Sequence, residues 1–461
     1  MTPQYGVLGK ALSIHDSDRV YRPDDQRLYI NTNAPFSAII CGVQGMLRIW
    51  ELLCQSMFIP RFSPIGQLNK PLCGLVLHYG EAGHGALPNE AAWLCQSQSS
   101  HVEGTPVRVY VSHSSLNTMK KVYEPLGKKV VVEPLYFKRK ELDAHAVLSM
   151  MAISSSESAP LYMQIILSIL RQLGESYDFQ TFMSHLEKEK TKFNPAQLSG
   201  LEQRMSLLMS FLEPNTPSKS KVPLKKISQQ NRFAAGQLTI IDLSDPFLDE
   251  GAACGLFDIM IRLFVRAEVN TGKVLVVDEA HKYLSPGKAS SGLTKTLLRL
   301  VRQQRHLSMR ILISTQEPTV VPPVLLDLCS VTILHRFTSP SWWAHLIQHV
   351  SADFSKSDAF DHVVRLQTGH ALVLAPAGLG VFGDEPAPAD SANWDKTDGG
   401  WDDTEAGKDN TGEGSGATEA GRDDAGAGRD DGAGRTAKTV GHIGRRYLIM
   451  KTLLSSCLPS A

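Results

Sequence analysis

The chain has 461 residues with a formal net charge of zero, and 42% of its residues are hydrophobic. This composition allows a substantial core in one large α/β domain with insertions or in two domains, and it creates no global field that would draw the protein to nucleic acid or membrane. The seven cysteines include no C-x-x-C pair, so we expect buried, reduced thiols rather than a disulfide framework or a zinc site. Without a membrane-length apolar run or a signal-peptide pattern, we predict an intracellular protein, in the nucleus or the cytoplasm.

The chain begins with a polar segment, residues 1–27, that carries no strong hydrophobic period. A strand pattern follows at residues 35–41 and runs directly into Gly42. A phosphate-binding loop of the form G-x-x-x-x-G-K-[ST] is expected here, after the first core strand and before a helix. Its glycines let backbone N–H groups wrap the phosphates, its lysine reaches the β- and γ-phosphates, and its hydroxyl binds Mg²⁺.

The stretch that begins at Gly42 matches this motif only in part. Gly42 occupies the first glycine position, and Gly45 and Arg48 are the other residues that we expect to contact phosphate. Leu47 stands at the second glycine position, where a left-handed backbone would cost a side-chain-bearing residue about 1–2 kcal/mol. Arg48 keeps the charge of the motif lysine without its compact ammonium group. Ile49 replaces the hydroxyl residue and cannot bind a metal.

Three interpretations of this stretch remain open. The protein is a pseudo-ATPase, or residues 46–55 replace the expected segment through an alternative exon boundary or a wrong gene model. In the third interpretation the stretch is a plain buried helix, because Arg48, Glu51 and Gln55 fall on one side of an otherwise apolar pattern.

Further strands and a helical region follow. Three apolar runs predict strands, at residues 71–79, 107–112 and 128–137. Four scattered histidines are expected at the surface or as hydrogen-bonded core residues rather than as metal ligands: His78, His84, His101 and His113. Residues 161–173 and 195–212 have helical patterns, with Pro160 and Pro195 near the helix starts. We therefore predict a helical insertion between the early core strands and the next one.

The most informative stretch is Lys273–His281. Four apolar residues, three of them β-branched, lead into Asp278 and Glu279. This pattern predicts a strand that is buried on both faces of a parallel sheet, and in such sheets ligands bind at the carboxyl ends of the strands. The acidic pair suits nucleotide hydrolysis, because the first acid can hold Mg²⁺ through water and the second can deprotonate an attacking water. The alternative is a core strand that ends in a solvated Asp-Glu pair.

A second buried-strand pattern ends in Ser314, Thr315 and Gln316. A helical pattern with leucines on one face, residues 292–305, lies between the two strands. Strand, helix and strand form a parallel crossover, which places Gln316 beside the acidic pair. A neutral amide at this position can donate a hydrogen bond to a γ-phosphate or orient the attacking water.

The order of these motifs resembles the HerA/FtsK-like branch of the P-loop NTPases (ASCE type), with a degenerate Walker A loop. The matching residues are Asp278, Glu279, Arg302, Arg305 and Gln316. The resemblance covers roughly residues 28–380 and is most specific over 238–338. The sequence Asp278–His281 also spells the DEAH box of helicases. That class needs a second RecA-like domain with its own arginine-rich motif, and we expect none in the sequence after Gln316.

The resemblance implies a function. It implies ATP and Mg²⁺ as cofactors, a ring-shaped homo-oligomer with nucleotide bound between subunits, and work on DNA or another polymer, without a membrane. It assigns Asp278 to Mg²⁺, Glu279 to the general base, Gln316 to γ-phosphate sensing, Arg302 or Arg305 to an arginine finger, and Gly42, Gly45 and Arg48 to phosphate binding. A catalytically inactive P-loop scaffold or interaction protein is the alternative, which Leu47 and Ile49 favour.

We therefore predict an α/β fold, a mostly parallel P-loop NTPase sheet (RecA/HerA-like) flanked by helices. Residues 383–440 nearly lack large aliphatic side chains and are predicted to be disordered. Residues 445–451 are a short apolar segment, for which we consider two hypotheses: a strand that docks on the core, or a flexible end. The predicted organisation is an N-terminal segment 1–27, a first core part 28–138, a helical insertion 139–236, a second core part 237–382, a low-complexity tail 383–440 and a C-terminal segment 441–461.

Overall fold

The structure is a computed structural model. It describes residues 5–16, 19–42, 57–58, 61–62, 66–68, 70–80, 86–96, 104–151, 161–214, 232–284, 292–350, 352, 358–382 and 439–452. The predictions for Gly45, Leu47, Arg48 and Ile49, and for the tail 384–438, lie outside these residues.

The strands are β1 Gly6–His15, β2 Val20–Tyr21, β3 Arg27–Ile30, β4 Ser37–Cys41, β5 Arg61–Phe62, β6 Gly66–Gln67, β7 Cys73–His78, β8 Val107–Val111, β9 Val130–Pro134, β10 Leu238–Asp242, β11 Lys273–Val277, β12 Met309–Thr315, β13 Val331–Leu334, β14 His370–Leu374, β15 Leu379–Phe382, β16 Thr439–His442 and β17 Tyr447–Thr452. The α-helices are α1 Leu116–Tyr123, α2 Ala144–Met151, α3 Leu161–Leu173, α4 Phe179–Glu189, α5 Pro195–Ser210, α6 Glu250–Arg266, α7 Gly292–Gln303, α8 Pro323–Leu328, α9 Pro340–Ile347 and α10 Asp358–Arg365.

In the described part of the chain, 13 strands form one mixed sheet in the order β2-β1-β17-β14-β13-β4-β12-β11-β7-β10-β8-β9, with β3 paired to β1. Every neighbouring pair from β13 to β9 in this order is parallel. In the other direction, every neighbouring pair from β13 to β2 is antiparallel, and so is the pair of β1 and β3. A mostly parallel sheet flanked by helices is therefore confirmed as the fold class.

The central strands are apolar because both of their faces are covered. Every residue of β4, β10, β11 and β12 is buried. On β11, Leu275 and Val277 pack into the core with helices α2–α10, while Val274 and Val276 pack on the other face with α1 and a short 3₁₀ helix, Glu90–Cys95. Burial on both faces is why these strands read as continuous apolar runs. No helix among the described residues is long and apolar enough to cross a membrane.

The N-terminal segment differs from its prediction as an unpatterned polar stretch. Within residues 1–27, β1 is a ten-residue strand that buries Leu8, Ala11 and Ile14 and pairs with β17 and β3. Its main partner lies at the other end of the sequence, so no local pattern marks the pairing. The prediction that residues 445–451 dock as a strand is confirmed, because β17 lies between β1 and β14.

The parallel register aligns polar residues at the carboxyl edge of the sheet. His78 at the end of β7 is paired with Asp242 at the end of β10. Val277 is in register with Leu77 and with Ile313, so Asp278 follows beside His78 and Ser314. Four polar side chains therefore cross the sheet in one row: Ser314, Asp278, His78 and Asp242.

Candidate nucleotide site at the carboxyl edge of the sheet

Glu279 and Gln316 face each other where β11 and β12 end. The side-chain Nε2 of Gln316 donates to Glu279 Oε1 at 2.9 Å and lies 3.2 Å from Oε2. The structure thus places the amide beside the acidic pair, as the crossover through α7 predicts. This position suits a pair that acts together on one water molecule.

The backbone of Glu279 is left-handed, with φ 51° and ψ 41°. This conformation costs a residue with a Cβ about 1–2 kcal/mol, and such outliers cluster at functional sites. The following turn holds it, because Lys282 N donates to Glu279 O at 2.9 Å and Tyr283 Oη donates to Asp278 O at 2.7 Å. Consecutive acids therefore reach different neighbours: Glu279 contacts Gln316, and Asp278 contacts the row of polar residues.

Basic groups also surround Glu279, whose side chain is 12% exposed. Lys282 Nζ lies 3.3 Å and His281 Nε2 lies 3.5 Å from Glu279 Oε2. Burial lowers the pKa of His281 and outweighs the attraction of Glu279. Glu279 is thus largely buried at the edge of the sheet, with a small part of its side chain open to a water molecule.

Asp278 has a different environment, because its side chain is 3% exposed and four protein groups donate to it. Oδ1 accepts from Ser314 Oγ at 2.7 Å and from Glu279 N at 3.0 Å. Oδ2 accepts from His78 Nδ1 at 2.9 Å and from Asn89 Nδ2 at 2.9 Å. A carboxylate offers about four lone-pair sites, so protein donors occupy the whole group.

The pKa shifts of this pair agree with an ion pair between His78 and Asp278. For Asp278, burial opposes ionisation, but hydrogen bonds from His78, Ser314 and Asn89 outweigh it and hold the pKa below its usual value. For His78, burial lowers the pKa. The hydrogen bond to Asp278 and the charge of Asp242 raise the pKa by more, so the net shift is upward.

The network continues across the sheet to α1. Tyr123 Oη donates to Asp242 Oδ2 at 2.7 Å and accepts from the backbone N of Asn89 at 3.0 Å. Burial raises the pKa of Tyr123 well above its ordinary value, and the nearby Asp242 adds to the shift. The sequence predicts His78 only as a surface or hydrogen-bonded core histidine, and nothing in the local sequence singles out Asn89 or Tyr123.

The magnesium ion that the resemblance implies does not fit Asp278 as the structure holds it. Mg²⁺ binds through oxygen ligands or their bound waters in a near-octahedral shell. Asp278 has no unoccupied lone-pair site to offer, and its oxygens do not face open space. Within the described ranges, no group of three or more His, Cys, Asp or Glu residues is arranged to hold a metal.

Gly42 marks where the expected phosphate loop begins. It follows β4 beside the end of β12, and its N–H donates to Thr315 O at 3.3 Å. Its φ is +149°, and a Cβ built on it would lie 2.5 Å from the Cβ of His335. Only glycine fits this position, and it is on the same sheet edge as Gln316.

Arg302 and Arg305 are not part of this cluster. Both are exposed and lie at the end of α7 and just after it. Helix α7 starts after the carboxyl end of β11 and returns to the amino end of β12, and its 12 residues span about 18 Å. The two arginines therefore lie toward the opposite edge of the sheet from Glu279 in the same chain.

Comparison with known proteins gives similar folds only. No family model and no curated protein matches the chain. Among solved structures, it is similar to VirB4 of Thermoanaerobacter pseudethanolicus, at 11% identity and a TM-score of 0.43 over 81% of this chain and 95% of that one. It is also similar to the pCW3 conjugation coupling protein TcpA, at 12% identity and a TM-score of 0.29 over 82% and 64%. The genome packaging NTPase B204 of Sulfolobus turreted icosahedral virus 2 matches at 14% identity and a TM-score of 0.22 over 30% and 61%. The chain spans less than two thirds of the TcpA and B204 chains.

Proposed function

We propose that this chain is a P-loop ATPase-like domain of the HerA/FtsK type, which binds ATP at the carboxyl edge of the sheet and couples slow hydrolysis to work on DNA or another polymer. The observation that carries this proposal is the pair of Glu279 and Gln316. Glu279 and Gln316 follow the ends of two neighbouring parallel strands, and their side chains are in contact at 2.9 Å. The backbone of Glu279 is left-handed at this point.

Glu279 is the general base in this proposal. It accepts a proton from a water molecule, the water oxygen attacks the γ-phosphorus, and the bond to the β–γ bridging oxygen breaks so that ADP leaves. Gln316, already in contact with Glu279, orients the water and responds to the γ-phosphate. Both acids are buried, but four protein donors fill Asp278 while the side chain of Glu279 is 12% exposed, and this difference supports Glu279 as the acid that reaches the substrate.

The degenerate loop limits the rate in this proposal. Leu47 adds a side chain where phosphate needs bare backbone, and Ile49 removes a hydroxyl ligand. The loss of one well-placed charge-stabilising group costs about 10²–10³ in rate. We therefore propose weak ATP binding through Gly42, Gly45 and Arg48, followed by slow turnover.

A ring of subunits would bring the arginines to the nucleotide. Arg302 and Arg305 are exposed and lie away from Glu279 of their own chain, so an arginine finger from α7 has to act on the nucleotide of a neighbouring subunit. This arrangement supports a homo-oligomer. We also propose that the protein acts inside the cell.

A catalytically inactive P-loop scaffold is the second candidate. One observation favours it: four protein donors enclose Asp278, the residue that the resemblance assigns to magnesium. In that case the edge of the sheet would hold nucleotide, or a partner, without turnover.

Phosphate release by the purified chain distinguishes the two candidates. We expect a slow ATPase rate that falls at least about tenfold in Glu279→Gln, because general-base catalysis contributes about 10²–10⁴-fold. The matched control is Glu317→Gln, which changes an exposed carboxylate one residue beyond Gln316 and should leave the rate unchanged. The scaffold would be favoured if the unaltered chain and Glu279→Gln bind ATP equally and also release phosphate at the same rate.

A further inference from the structure

We propose that Asp278 is a buried structural acceptor, held by His78 and three other protein donors, and that the site takes ATP without magnesium. This inference rests on the proposed function for its nucleotide, while the role of Asp278 rests on geometry alone. It separates the two acids of one motif: Glu279 faces the substrate, and Asp278 ties the sheet edge together.

The hydrogen-bond capacity of Asp278 is the first argument. Each carboxylate oxygen accepts two donors at 2.7–3.0 Å. A metal-bound water placed against Asp278 would have to displace one of them. The displaced group would be a buried donor without a partner, and leaving such a donor unsatisfied is costly.

The rigidity of these donors is the second argument. Asn89 uses its whole amide, because Oδ1 accepts from Ala91 N at 3.0 Å while Nδ2 donates to Asp278. Its backbone N–H is bound to Tyr123, a buried residue of α1. Asn89 therefore cannot turn away from Asp278 without breaking contacts on both sides.

The position of the His78 side chain is the third argument. His78 lies in register between Asp278 and Asp242, and its Nδ1 donates to Asp278 at 2.9 Å. A divalent ion beside Asp278 would therefore have to enter a place that the imidazole of His78 already occupies.

The first experiment measures ATP binding by isothermal titration calorimetry in MgCl₂ and in EDTA. We expect the same dissociation constant in both. A loss of tenfold or more in EDTA, about 1.4 kcal/mol, would overturn the inference and leave the proposed function standing. Absence of ATP binding in both buffers would overturn the nucleotide part of the inference together with the proposed function, and the next experiment would then decide the role of Asp278.

The second experiment needs no nucleotide. Thermal unfolding in EDTA should show that Asp278→Asn lowers Tm by about 5–10 °C, because a broken buried pair leaves donors without an acceptor. The matched control is Asp258→Asn, a fully buried carboxylate on α6 that accepts from Thr296 at 2.6 Å and Arg262 at 3.0 Å and should show a similar loss. An unchanged Tm for Asp278→Asn would overturn the inference.

Two further measurements keep the test decisive if Asp278→Asn does not fold. Ser314→Ala removes one donor and should lower Tm by a smaller amount, and an unchanged Tm would count against a structural Asp278. Electron paramagnetic resonance with Mn²⁺ on the unaltered protein should show no stoichiometric binding. Tight Mn²⁺ binding that Ser314→Ala or Asp278→Asn alters would assign Asp278 to a metal and overturn the inference.

Discussion

Gly42 and His335 are in such close contact that no side chain fits on Gly42. A Cβ added to Gly42 would lie 2.5 Å from the Cβ of His335, and the backbone N–H of His335 donates to Cys41 O at 2.7 Å. The start of the predicted phosphate loop is therefore fixed by its packing against β13 and the residues that follow it, whatever the loop itself binds.

Gly42→Ala should destabilise the protein through this contact. Forcing a methyl group into packed surroundings costs about 1–3 kcal/mol, and the positive φ adds about 1 kcal/mol. Urea unfolding measures the loss. The control is Gly127→Ala, because Gly127 also has a positive φ of 81° but has open space where its Cβ would lie. Equal losses in the two variants would show that the contact with His335 has no effect.

Stability should fall in mild acid because of His335. Burial lowers the pKa of this imidazole to about 4, although its hydrogen bond to His370 O opposes the shift. Between pH 6.5 and pH 4 the unfolded chain therefore binds more protons than the folded chain. The contribution of His335 to the free energy of unfolding, up to about 3 kcal/mol, is present above pH 6.5 and is lost as the pH falls to about 4.

Urea midpoints from pH 7 to pH 4 test this effect. His335→Gln should flatten the pH dependence, whereas His306→Gln, which changes an exposed histidine after α7, should leave it as in the unaltered chain. An unchanged slope in His335→Gln would contradict the prediction.

Restoring the loop should increase nucleotide binding and turnover. Leu47→Gly, Arg48→Lys and Ile49→Ser together reintroduce bare backbone, a compact ammonium group and a hydroxyl. The gain in turnover should disappear when Glu279→Gln is added, since that variant lacks the general base. Steady-state phosphate release with ATP titration measures both effects. Brisk hydrolysis by the unaltered chain would refute the degenerate-loop argument, and a folded triple variant that binds no nucleotide would refute the alignment of residues 42–49.

The arginines should act between subunits. Neither Glu279→Gln nor the double variant Arg302→Ala and Arg305→Ala should hydrolyse ATP alone, because each lacks one half of the site. Mixing the two should recover part of the activity, since some interfaces then combine an intact Glu279 with intact arginines. Subunit exchange is confirmed first. Phosphate release that then stays at background at every mixing ratio would rule out arginines that act between subunits.

Strand β17 should be required for a cooperative fold. It lies between β1 and β14, and it buries Leu448, Ile449 and Met450. A chain that ends at residue 446 keeps β16 but leaves the edges of β1 and β14 unpaired, so we expect a large loss of Tm or aggregation, since unpaired edges associate. A chain that ends at residue 452 keeps the strand and is the control. Equal melting of the two chains would show that β17 contributes little.

Local sequence predicted the central strands and the crossover. The apolar runs that end at Val277 and Thr315 are buried on both faces, and the helix between them makes the two strands parallel. Those two facts suffice to bring Glu279 and Gln316 to one edge. The C-terminal strand was predictable for the same reason, because a short apolar run is a local feature.

Only the tertiary structure decided what Asp278 does and where the N-terminal strand belongs. His78 and Asn89 are 200 and 189 positions from Asp278 in the sequence, and β1 pairs with a strand at the other end of the chain. A strand's apolar pattern is written in neighbouring residues, whereas a hydrogen bond to a buried carboxylate depends on which strands and helices pack together. The sequence thus determined an acidic pair at a sheet edge, and the packing of β7, β12 and α1 around it determined that four donors enclose Asp278 while Glu279 contacts Gln316.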